Sequence, residues 1–253
     1  MARKRFVQRL KGLFVDAVPE EAARPGSAER GIGSMEDFLR DVRARGFMPR
    51  GAVDVGANYG KWTALARDIY PELRVLMIEP QAELQELLLR MVHDVGNAEL
   101  VGAGAGRQPG ELIQTIWPDL AGSSFLPEAD KDRIAKGEQR RTPIVTLDGL
   151  IADRPDFHPD LVKLDIQGFE LEALAGAETL FGRTELFILE TSFYKFFPAQ
   201  PLASEAIAFM AARGYEFYDI VGHLRRPYDG ALGQADFAFA RRGGQLMASA
   251  AWA

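Results

Sequence analysis

Four carboxylates stand at or near the ends of short apolar runs: Asp54 in "AVDVG", Glu79 in "VLMIEP", Asp165 in "VKLDIQG" and Glu190 in "FILET". A carboxylate in such a place can accept hydrogen bonds from sugar hydroxyls, hold an ammonium group, or take the proton of an attacking hydroxyl. His223, after the run "YEFYDIV", adds a proton acceptor whose ordinary pKa lies near neutrality. If the apolar runs are parallel strands, ligands belong outside their carboxyl ends, where all these groups would converge.

The loop after Asp54, "VGANYG", narrows the ligand. Gly56 and Gly60 allow a tight turn and close approach to backbone, and Asn58 is one of the few other residues that enters the left-handed region readily. A dinucleotide loop needs glycine where Asn58 stands, so that a pyrophosphate can press on the chain. S-adenosylmethionine carries no phosphate. An asparagine side chain and turn amides suit its carboxylate, and Asp54 suits its ammonium group. Glu79 follows Asp54 by 25 positions, near the offset at which an acid accepts ribose hydroxyls. Asp54 and Glu79 as ordinary strand-end carboxylates of a nucleotide-free protein is the competing reading.

The elements that must position these groups alternate. Strands are expected at 52–55, 74–79 and 98–103, with helices over 58–69 and 81–92 between them. Crossovers of that length require parallel strands. Residues 104–146 break the rhythm and read as a hairpin or two and a surface loop. Strand 161–166, helix 169–181, strand 185–191 and helix 203–213 resume it. The strands in "YEFYDIV" and "ADFAFARR" then close the sheet as an antiparallel hairpin. The fold class is α/β, a doubly wound, mostly parallel sheet. Residues 1–34 read as a basic N-terminal helix and linker, 35–242 as one domain opened by Ser34 as a helix cap, and 243–253 as a loose tail.

Bulk properties fit that frame. The 253 residues, 47% hydrophobic, suffice for one large core. The formal net charge of −6 includes +5 from Arg3, Lys4, Arg5, Arg9 and Lys11, so the remainder carries −11 and would repel nucleic acid. The absence of cysteine excludes disulfides, thiol catalysis and cysteine-bound zinc, and no histidine pair has metal-ligand spacing. No metal is expected. Phe6, Leu10, Leu13 and Phe14 recur at helical spacing among the basic residues, so weak membrane-surface contact through residues 1–15 is a secondary expectation beside a self-docking helix. A cytoplasmic location is the default.

The segments "VDVGANYG", "IEP", "TLDGLI" (146–151), "VKLDIQGFELEALAGA" (162–177) and "ILET" occur together in an order that resembles the FkbM family of S-adenosylmethionine-dependent methyltransferases, over about residues 31–241. The resemblance implies the class I methyltransferase (Rossmann-like) sheet, seven strands with the terminal one reversed. It implies O-methylation of a hydroxyl on a sugar, glycolipid, polyketide or other secondary metabolite, with S-adenosylmethionine as cofactor. By motif, Asp54, Gly56, Asn58 and Gly60 would cradle the methionine end and Glu79 the ribose; Ser123 and Ser124 would border the pocket, and Asp165 would face the sulfonium or the acceptor. Gln167 stands where many members have glutamate, which keeps a non-catalytic S-adenosylmethionine-binding adaptor open; an NAD-dependent oxidoreductase is the other alternative. Asp165, Glu190 and His223 are the candidate bases. Lys163 shares the face of Asp165, Glu170 suits a helix start, and the aromatics of "TSFYKFFP" (191–198) are core or an acceptor wall. A small-molecule or glycan acceptor is the expected partner, with a homodimer as a further expectation.

Overall fold

The computed structural model describes residues 30–126 and 130–251. The basic segment 1–15, and with it the expected membrane contact, lies outside the described residues. A seven-stranded sheet runs in the order β3-β2-β1-β7-β8-β10-β9, from β1 (Gly51–Val55), β2 (Arg74–Ile78), β3 (Ala98–Val101), β7 (Pro159–Leu164), β8 (Leu186–Ser192), β9 (Tyr215–Arg225) and β10 (Leu232–Arg241). All neighbours pair in parallel except β10, which is antiparallel to both β8 and β9. The expected reversed strand is present, inserted one place in from the edge.

Central strands bury both faces, which is why they read as unbroken apolar runs. Val53, Val55, Leu76, Val162, Phe187 and Leu189 face one core, with helices α5 (Leu147–Ala152), α6 (Glu170–Leu174) and α7 (Ala203–Ala212) packed over them. Ala52, Val75, Met77, Leu161 and Ile188 face the other, under α1 (Met35–Ala44), α2 (Lys61–Ile69) and α3 (Ala82–Val95). Each large side chain buried this way contributes about 1.5–3 kcal/mol. Ser34 caps α1, its Oγ accepting from Asp37 N at 3.2 Å. Strand alternation then fixes the polar residues: Asp54, Lys163 and Asp165, Glu190 and Asp236 share the parity of Ala52, Leu161, Ile188 and Ala238 respectively, so all five lie on the second face, near the strands' carboxyl ends or, for reversed β10, its start.

Three expectations are corrected. The middle segment holds the expected antiparallel pair, β5 (Gly110–Thr115) and β6 (Gln139–Val145), but β4 (Gly104–Ala105) adds to β6 in parallel, making a second, three-stranded sheet, and α4 (Lys131–Ala135) stands ahead of β6. The helix expected over 169–181 stops at Leu174 and resumes only as a 3-10 turn at Glu178–Leu180. At Gly176 the chain passes so close to Gly106 that a Cβ would fall 2.2 Å from its carbonyl oxygen. The tail is not loose throughout: Gln245–Met247 forms a 3-10 turn, Leu246 N donates to Glu185 Oε1 at 2.8 Å, and the Leu246 side chain packs on the core.

Candidate active site

The loop after β1 is built around positive backbone angles. Gly56 (φ +80°) passes so close to β7 that a Cβ would fall 2.1 Å from the Asp165 carbonyl oxygen, and Gly60 (φ +73°) opens α2 against Met91 Sδ, 2.3 Å from where a Cβ would be. Gly56 is therefore required by the protein's own packing, and Gly60 by its left-handed backbone angle. Asn58 adopts φ +48°, as its type permits. Its side chain is not free for a ligand: Oδ1 accepts from Tyr59 N at 2.9 Å and Nδ2 donates to Leu120 O at 3.0 Å.

Leu120 belongs to the loop between β5 and α4, and that loop roofs a cavity of about 650 Å³. Leucine at φ +60° is strained, at a cost of order 1–2 kcal/mol. Two side-chain amides hold it there, Asn58 Nδ2 and Gln81 Nε2, the latter at 2.9 Å, while Ser123 Oγ donates to Gln81 Oε1 at 3.0 Å. Glu79 lies beneath this roof, at the end of β2. Its Oε2 accepts from Asn58 N at 2.8 Å and its Oε1 from Gln81 N at 3.0 Å and Gln81 Nε2 at 3.2 Å. Burial raises its pKa against the pull of those donors.

The opposite wall holds the acids. Gln167 (φ +56°) places its side-chain amide between two carboxylates, donating to Asp165 Oδ1 at 3.1 Å and to Glu190 Oε2 at 2.9 Å. Lys163 Nζ lies 3.0 Å from Asp165 Oδ2. Burial works against its ammonium, but Asp165, Asp54 and Asp236 outweigh it and hold the Lys163 pKa above its ordinary value. Glu190 is pushed well above the usual carboxylate range by burial and then by the charges of Asp165, Glu170 and Asp236. Asp236, opposite Glu190 in the β8–β10 register, is raised to about 6 by burial and Asp165. It turns toward Gly222, where a Cβ would fall 2.0 Å from Asp236 Oδ2. The alternation of "ADFAFAR" carried the signal for Asp236, a charge at the start of an apolar strand.

The expected site residues separate into two groups. Gly56, Asn58, Glu79, Asp165 and Glu190 line the cavity, as do Lys61, Trp62, Lys163, Gln167 and Asp236. Asp54 is fully buried behind the lining; Thr63 Oγ1 donates to its Oδ2 at 2.7 Å, while Oδ1 has no hydrogen-bond partner among the described residues. Desolvation raises its pKa, with Lys163 opposing. Ser124 is buried and donates to Gln167 O at 2.9 Å, so Ser123 is the serine that borders the cavity. His223 is not brought in: it lies exposed on β9 with its ring against Gly33, and the next residue, Leu224, lines the cavity instead. Glu170 caps the turn before α6, accepting from Ile166 N at 2.9 Å and Gly168 N at 3.2 Å. Among the described residues, no group of three or more His, Asp or Glu side chains could hold a metal ion, and no helix is long and apolar enough to cross a membrane.

A family model described as the methyltransferase FkbM domain matches residues 54–217. "Methyltransferase 1" of Beauveria bassiana (strain ARSEF 2860) is 26% identical over 143 residues, covering 50% of this chain and 57% of that protein. "Methyltransferase sdnD" of Sordaria araneosa is 26% identical over 154 residues, covering 50% and 60%. The matches thus span about three fifths of the length of these curated relatives. Among solved structures, methyltransferase FkbM from Methylobacillus flagellatus KT superposes with a TM-score of 0.47 at 21% identity, over 74% of this chain and 43% of that one.

Proposed function

The chain belongs to the FkbM methyltransferase family, and we propose that it transfers the methyl group of S-adenosylmethionine to a hydroxyl oxygen of a small-molecule or glycan acceptor. The observation that carries this reading is the charge of the cavity. Lys61 and Lys163 are outnumbered by Glu79, Asp165, Glu190 and Asp236. A pyrophosphate would be repelled there, whereas a donor with an ammonium group and a sulfonium is favoured. The volume of about 650 Å³ lies in the range of cofactor sites.

The residues present fit such a donor. Among the described residues Glu79 Oε2 accepts a single hydrogen bond, which leaves a lone pair for a ribose hydroxyl. Trp62 and Lys61 both border the cavity, and the Lys61 ammonium suits a carboxylate. Asp54 acts from behind the lining, through Thr63 and the field it shares with Lys163.

Bound S-adenosylmethionine supplies an electrophilic methyl group. A neutral hydroxyl is a weak nucleophile, so the protein must align it and accept its proton. Glu190, whose proton affinity is raised by burial and by its acidic neighbours, is the proposed acceptor of that proton, and Asp165 orients the hydroxyl. Gln167 fixes the spacing of the two carboxylates, and Lys163 balances their charge. General-base assistance of this kind contributes about 10²–10⁴-fold in rate. The test is incubation with methyl-labelled S-adenosylmethionine and fractionated lipids, glycans and small metabolites. Label recovered as a methyl ether is the expected result; label on nitrogen, or none in any fraction, overturns the reading.

A further inference from the structure

A second cavity, of about 590 Å³, adjoins the first, and Gln167, Leu224 and Gln234 line both. Its chemistry is different. Trp117, Phe196 and Phe197 face it; the Arg133 guanidinium stacks over the Trp117 ring at 4.5 Å, and Trp117 and Phe196 still remain 36% and 45% exposed, a large apolar surface.

This aromatic wall is held in place before any ligand arrives. Buried Gln200 accepts at Oε1 from Phe196 N at 3.1 Å and Phe197 N at 3.3 Å, and donates from Nε2 to Ser192 Oγ at 2.7 Å. Gly168 keeps the space for it, since a Cβ there would fall 2.9 Å from Gln200 Cγ. Rigid aromatic anchors lose little entropy on binding.

Two arginines line the cavity, and they differ. Arg226 is committed: its Nη2 lies 2.5 Å from Asp229 Oδ2, and its guanidinium stacks over Tyr194 at 3.8 Å. Arg225 donates from Nη1 to the carbonyl oxygen of Gly230 at 3.0 Å and has no carboxylate partner among the described residues. Among the described residues the only acid lining the cavity is Asp119, which accepts from Ala121 N at 3.2 Å. The cavity therefore offers an apolar platform with an unneutralised guanidinium at its rim, suited to an anion.

We infer that this second cavity holds the body of the acceptor, and that the acceptor is an apolar, ring-bearing hydroxy compound carrying an anionic group. The ring lies on Phe196, Phe197 and Trp117, the anion meets Arg225, and the hydroxyl reaches Glu190 past Gln167. This assignment rests on the first cavity being the donor site.

The test uses two fluorescent probes of one shape, 8-anilinonaphthalene-1-sulfonate, which is anionic, and N-phenyl-1-naphthylamine, which is not. The sulfonate should bind at one site, with energy transfer that Trp117→Phe diminishes. Arg225→Gln should weaken it about tenfold while leaving the uncharged probe unchanged, and Phe196→Ala should weaken both. Both positions are exposed, so neither variant threatens folding. S-adenosylmethionine should bind wild type, both variants and the sulfonate-loaded protein with equal affinity by calorimetry. If Arg225→Gln leaves sulfonate affinity unchanged, or if the sulfonate displaces S-adenosylmethionine, the assignment is wrong. If S-adenosylmethionine fails to bind at all, it is the donor reading that fails, and the probe results still decide the chemistry of the second cavity.

Discussion

Gln167→Glu places a third carboxylate between Asp165 and Glu190. The amide nitrogen it replaces sits 3.1 Å and 2.9 Å from their oxygens, so the new oxygen would stand roughly 3 Å from each. At an effective dielectric of about 20, two unit charges at that distance repel by about 5 kcal/mol. The Asp165 side chain is 34% accessible, so solvent screening reduces this to about 2–3 kcal/mol, or about two pKa units. The variant should keep an extra proton in the folded state near neutrality. A carboxyl whose folded pKa exceeds its unfolded value makes the folded form bind more protons, so stability falls as pH rises between the two values. Urea unfolding at pH 5 and pH 8 reads this directly. The stability deficit of the variant relative to wild type should grow by about 2 kcal/mol across that interval. A deficit of the same size at both pH values would refute the placement of Gln167 between two carboxylates.

Other predictions follow the same reasoning. Glu170→Gln keeps an oxygen acceptor for Ile166 N and Gly168 N but removes a carboxylate that burial raises to about 7; it should be stabilised at pH 8 by up to about 3 kcal/mol, and nearly unchanged at pH 4.5, by chemical unfolding. Asn58→Gly retains the positive φ and loses the bond to Leu120 O, so hydrogen exchange of the roof amides at Trp117 and at 119–123 should quicken about fivefold, for about 1 kcal/mol. Gly56→Ala drives a methyl group into the Asp165 carbonyl and should cost roughly 2–4 kcal/mol in unfolding free energy, whether or not ligand is present.

What was legible in the sequence is what period and strand ends encode. Seven strands and the polarity of the last were readable because buried parallel strands are continuous apolar runs and a short turn forces antiparallel pairing. Asp165, Glu79 and Glu190 were readable as strand-end acids. Asp236 shows in the sequence only as a charge at the start of an apolar strand; its place beside Glu190 follows from β10 inserting between β8 and β9, a long-range register that the strand's own alternation does not give. His223 misled for a similar reason: alternation along β9 sends neighbouring side chains to opposite faces, and the cavity took Leu224. Asn58 had the right conformation and a different employment, since its amide holds Leu120 rather than standing free. The roof itself hides in a segment without periodicity, where a leucine at positive φ is visible only in three dimensions.

The central claim is that the acid-lined cavity beneath Leu120 takes a phosphate-free sulfonium donor. Titration calorimetry of the full chain with S-adenosylmethionine and with NAD, on wild type and Glu79→Ala, decides it. One site for S-adenosylmethionine, weakened at least tenfold by the substitution, and no heat from NAD is the predicted outcome. Binding of NAD in its place, or S-adenosylmethionine binding indifferent to Glu79, would contradict the account.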